Sequence, residues 1–136
     1  MPSWMKTAAE VQTETREKLA SRIPDERKKR EAEGVTVNGI RYAGDAGNRQ
    51  ALNEALQYAD DASLAVFDRW KDSDGQYHPD HPVSDVRSAL NAIAARRNAL
   101  FSLEASHVDA VMNGAVTDLG DLKWTTLNQP EEVNHG

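Results

Sequence analysis

The sequence contains no cysteine in its 136 residues, which excludes disulfides, thiolate metal sites and cysteine nucleophiles. Aromatic residues are scarce at 6%, and the hydrophobic fraction of 39% provides for one modest core. No apolar run approaches the roughly 20 residues that a membrane-spanning helix needs. Basic residues are the minority, 16 Lys and Arg against 22 Asp and Glu, for a net charge of −6. Binding to duplex nucleic acid rests on cations that neutralise phosphates, so this balance argues against it. The opening Met1 to Lys6 lacks an apolar signal core, and no cleaved secretion signal is expected. The length admits one domain of ordinary size plus an extension.

The first signals present are helical. Thr7 and Glu10 form a capping box. Ala8, Val11, Thr15, Leu19 and Ile23 follow at spacings of three and four, a seam too thin for a deeply buried helix. Ile23-Pro24 interrupts the pattern, and Pro24 suits the first turn of a second helix with Asp25 and Glu26 at its positive end. Residues 25–33 are almost wholly charged, and Gly34 is a natural stop. Residues 1–33 thus read as an N-terminal helical arm, with Val11, Leu19 and Ile23 as its partner-binding seam. The competing reading folds the first helix back over the sheet, because small domains need every apolar face.

At Val35 the chemistry changes. Val35-Thr36-Val37 and Ile40-Arg41-Tyr42 flank Asn38-Gly39, the strongest short signal for a β-hairpin. Leu52, Ala55, Leu56 and Ala59 define one face of the next helix. A second hairpin is expected around Asp72–Gly75, carrying a mostly buried Trp70 on one strand and Tyr77 on the other. Ser84 reads as a helix cap. The longest helical pattern runs from Asp85 to about Asn113, with Arg97 and Glu104 on its apolar stripe. Thr117-Asp118 suits a short turn leading to Trp124. The expectation is an α+β fold, a small antiparallel sheet of two hairpins packed on helices. Its domain spans 34–127, and 128–136 form a frayed tail.

Candidate chemistry is thin. His78 and His81, with Asp74 and Asp80 beside them, form the densest ligand-like cluster, but zinc needs three or four convergent ligands. Arg27-Lys28-Lys29-Arg30 is bracketed by acids, as in a solvated face. The carboxylate pairs Asp60-Asp61, Asp72/Asp74 and Glu131-Glu132 sit in turns or at the terminus. Gly44-x-x-Gly47 lacks the Lys-Ser/Thr end of a phosphate loop. The residues predict no catalytic group, no metal and no cofactor.

One order of signals is nevertheless distinctive. Arg27-x-x-Arg30 leads to Gly34-Val35-x-Val37-x-Gly39-Ile40-x-Tyr42, then Asp45, Asn48-Arg49, Leu52 and Leu56. Trp70-Lys71-x-x-Asp74-Gly75 follows, then an Ala-rich helix with Ala94, Arg97, Glu104 and His107, and finally Trp124. Over roughly residues 22–126 this resembles the phage and prophage domain of unknown function commonly encoded beside tail-fibre and fibre-assembly genes. The resemblance implies a tailed-phage structural or assembly protein, in the virion tail or in the host cytoplasm during assembly. Its expected partners are tail or fibre proteins and a second copy joined through the arm, with no nucleic acid and no membrane. It transfers no catalytic residues. A free cytoplasmic phage protein that modulates another factor is the alternative, and a metal-dependent enzyme using His78 and His81 is the remote one.

Overall fold

A computed structural model describes residues 5–126. The Thr7 hydroxyl accepts the Glu10 N–H at 3.1 Å and starts helix α1, Ala8–Ala20. Helix α2, Ile23–Glu33, carries Pro24 in its first turn and ends at Gly34. Gly34 has φ 79°, and a Cβ there would lie 1.8 Å from the Tyr42 carbonyl oxygen, so only glycine fits. Strands β1, Val35–Val37, and β2, Ile40–Tyr42, pair antiparallel around Asn38 and Gly39, both at positive φ, as the Asn-Gly signal requires. Asp45 caps helix α3, Ala46–Asp61, by accepting the Asn48 N–H.

Strands β3, Val66–Lys71, and β4, Tyr77–Pro82, form the second hairpin. The two hairpins are separate two-stranded sheets. Strands of three residues offer little edge for a shared ladder, and one backbone bond, the Ser73 N–H to the Arg41 carbonyl at 3.5 Å, is joined by side-chain contacts. Arg41 bonds Asp74 Oδ1 at 3.0 Å and the Ser73 carbonyl at 3.2 Å, while the Ala43 N–H donates to Ser73 Oγ at 2.8 Å. Pro79 and Pro82 are tolerated in β4 because each strand of a two-stranded sheet has a free edge.

Helix α4, Val83–Met112, is the spine, about 45 Å long at 1.5 Å per residue. It begins two residues before the expected start, with Pro82 rather than Ser84 at the cap position. Its first half joins Val35, Tyr42, Leu52, Leu56 and Phe67 in one core cluster. Its second half, through Leu100 and Val111, joins Ala20, Ile23 and Trp124 in another. A short 3-10 turn at Leu119–Asp121 leads to Trp124. Among the described residues no helix is long and apolar enough to cross a membrane.

Within the arm expected at 1–33, α1 is exposed along most of its length while α2 packs inward. Ile23 is fully buried, and Arg27 and Glu31 are each 8% exposed. Within the charged stretch 25–33 only Arg27 and Glu31 are buried, and both are ion-paired, Arg27 with Glu31 and Glu104 and Glu31 also with Arg49 and Arg97. The tail expected at 128–136 lies outside the described residues.

Candidate functional site

The densest chemistry gathers where the two hairpins meet. Tyr42 ends β2 in the core, 1% exposed, and His81 lies across from it on β4, 2% exposed. The Tyr42 hydroxyl and His81 Nε2 are 2.5 Å apart. The Trp70 ring stacks on His81 at 5.3 Å between centroids, with 11° between planes. Trp70 is largely buried, packed against the first core cluster where it roofs the imidazole. His78 sits 6.1 Å from His81, and its Nε2 bonds Asp72 Oδ2 at 2.7 Å.

Two histidines three residues apart share a face because Asp80 adopts φ 48° between them and turns the strand. Strict alternation would have placed them on opposite faces. Asp72 is fixed by its turn, where Oδ1 accepts the N–H groups of Asp74 and Gln76, each at 2.9 Å.

Electrostatics follow from these partners. Burial raises the Tyr42 phenol well above its ordinary value, and the negative charges of Asp85 and Asp72 add to the effect. Burial lowers His81 against the opposing pull of Asp85, so the imidazole favours its neutral form. The His78 hydrogen bond holds Asp72 below the usual carboxylate value, with the Gln76 and Asp74 N–H groups reinforcing it. This arrangement is well built for cohesion. As a catalytic base, however, His81 has one nitrogen on Tyr42 and a face under Trp70. As ligands, His78 and His81 lack company, for no group of three His, Asp or Glu suited to a metal occurs among the described residues.

The second concentration of charge joins three helices. The Glu31 carboxylate meets Arg27 Nη1 at 2.5 Å, Arg49 Nη1 at 3.4 Å and Arg97 Nε. Arg27 also reaches Glu104 Oε1 at 3.3 Å, and the Arg27 and Arg97 guanidiniums lie over the Phe101 ring at 4.4 and 5.0 Å. Arg96, 3% exposed, bonds Glu33, Thr126 Oγ1 and the Arg30 carbonyl. The block Arg27–Arg30 is therefore not one basic surface. Arg27 points inward, Arg30 pairs with Glu26, and only Lys28 and Lys29 stand in solvent.

The sequence marked part of this network without joining it: Arg97 and Glu104 on the inward stripe of α4, and Arg27 four residues before Glu31. The three residues of the expected binding seam do not stay together. Val11 is half exposed, Leu19 packs on the second cluster, and Ile23 is inside it. A burial-driven core has claimed most of that seam. The remaining concavity at this end, about 450 Å³, is lined by Ile23, Leu119, Leu122 and Trp124 with charges of both signs, among them Arg22 and Glu26.

Among known proteins, the model of one family, described as Domain of unknown function (DUF4376), matches residues 14–126. No curated protein matches the chain. No solved structure matches it either.

Proposed function

We propose, from the premise that this chain belongs to the DUF4376 family, that it is a non-enzymatic structural or assembly protein of a tailed phage. It acts by protein contact, as an adaptor or chaperone for tail, baseplate or fibre components. The phage setting comes from the sequence resemblance set out above. The observation that carries a contact function is the internal use of the reactive side chains. His81 is held by Tyr42, His78 by Asp72, and Glu31 by three arginines. The surface also carries exposed large apolar side chains, among them Val11 at 50% exposure, Tyr58 at 61% and Tyr77 at 67%. Exposed apolar groups gain most from a protein partner.

The reading is tested by deleting the gene from a phage that encodes it and examining the particles by electron microscopy. Loss or misattachment of tail fibres, restored by the gene in trans, is the expected result. Normal, fully infectious particles would overturn it. A free cytoplasmic modulator, the alternative, would leave particles normal and change only yield or host response.

A further inference from the structure

The outer face of α4 is unusual for a chain that is 28% charged. Between Arg87 and Asp109 its exposed positions are Ser88, Asn91, Ala94, Ala95, Asn98, Ala99, Phe101, Ser102, Ala105 and Ser106, with no charge among them. The charged residues in that stretch, Arg96, Arg97 and Glu104, are engaged by α2. The Asn91 and Asn98 side-chain amides have no hydrogen-bond partner within the described chain, and each carries two donors and an acceptor.

Two exposed pairs are symmetric about the midpoint of Ala94-Ala95, the alanines themselves and Asn91 with Asn98. Asn91 stands three and a half residues before that point and Asn98 three and a half after it. Two α4 helices crossing antiparallel there would bring alanine against alanine, so their backbones can approach closely. Each Asn91 would then face the other copy's Asn98, amide to amide.

Charge beside the helix has the same symmetry. α3 runs antiparallel along α4, and the groove between them passes from Arg49 and Arg97 at one end to Asp60 and Asp61 at the other. At the first end Arg27, Arg49 and Arg97 outnumber Glu31 and Glu104, leaving one positive charge. At the second, Asp60 and Asp61 outnumber Arg87, leaving one negative charge. A two-fold axis at the centre lays each positive end on the other copy's negative end, the self-complementarity an isologous interface requires.

We infer that the exposed α4 face centred on Ala94-Ala95 is a two-fold antiparallel interface, and that its occupant is a second copy of this chain. The contact is centred on the side of α4 away from α2, and Arg16 of α1 meets α4 at its far end near Met112, so it is independent of the seam at Val11 and Leu19. It does not depend on the phage reading.

The test uses the full chain in sedimentation equilibrium and exploits the missing cysteines. The unmodified protein should sediment at about twice its 15.0 kDa. Asn91→Glu with Asn98→Glu places like charges opposite each other and should weaken the dimer at least tenfold. Asn91→Lys with Asn98→Glu places opposite charges together only in the antiparallel register and should dimerise. Far-UV circular dichroism establishes that each variant is folded. Independently, Asn91→Cys mixed with Asn98→Cys should form a disulfide-linked dimer under mild oxidation, while each alone should link poorly. A monomer at every concentration, a dimer indifferent to the glutamates, or equal linking of the single variants would overturn the inference.

Discussion

The Tyr42 hydroxyl and His81 Nε2, 39 positions apart in sequence, lie 2.5 Å from each other and tie the first hairpin to the second. No strand ladder joins the two sheets, so this buried bond joins them together with the bonds of Arg41 and Ala43 to Asp74 and Ser73. Tyr42→Phe keeps the ring and leaves the imidazole without its partner. A buried polar group so stranded costs about 1–3 kcal/mol. Urea denaturation should show that loss as a lower midpoint with an unchanged slope, and an unaltered midpoint would contradict the bond's importance.

His81 also sets a pH dependence. Its value in the folded state lies below the ordinary 6.5, chiefly through burial. The unfolded chain therefore binds the proton more readily than the folded one. The stability due to neutral His81 is complete above 6.5 and is lost as pH falls from there toward the folded value. Asp72 acts in the same direction lower down. Its folded value is below 3.8, so the stability it contributes is lost as pH falls through that region. Melting temperature against pH should decline below 6.5, and His81→Phe should flatten that first decline. An identical profile in the variant would assign the effect elsewhere.

Glu31 is the hub of the ion network, and it is 8% exposed. Glu31→Ala would leave Arg27, Arg49 and Arg97 crowded together without their shared anion. Breaking a buried pair from one side typically costs about 3–5 kcal/mol. Glu31→Gln, which keeps the shape and some hydrogen bonding, should cost less. Equal stability of Glu31→Ala and the unmodified protein would mean that water already screens the cluster.

What was legible in the sequence follows from how local each determinant is. Asn38-Gly39 and the Asp72–Gly75 turn specify their hairpins within a few residues, and both hairpins form where they were read. The capping box at Thr7 is equally local. The burial of α2 is not, because it depends on Arg27 meeting Glu104 and Arg96 meeting Glu33, pairs 77 and 63 positions apart. Read alone, Asp25 to Glu33 is a solvated helix. The shared face of His78 and His81 was hidden for a different reason: Asp80, an ordinary residue in a strand, takes φ 48°. Val11, Leu19 and Ile23 have the right helical spacing, but spacing cannot tell a docking seam from a core stripe.

Burial of α2 changes the expected effect of truncation. Removing residues 1–33 deletes Ile23, Arg27 and Glu31 from the interior, and the remainder should show no cooperative thermal transition. Ile23→Ala in the full chain should cost about 2–5 kcal/mol, the usual range for emptying such a buried site. A truncated chain that melts cooperatively would restore the arm as a separate element.

The contact function is tested most directly by quantitative mass spectrometry of purified particles and tail-assembly intermediates from a phage encoding this chain. A structural or assembly role places the polypeptide at a fixed ratio to a tail or fibre protein in one of those fractions. Its absence from both, with the whole pool free in the lysate, would contradict a structural or assembly role.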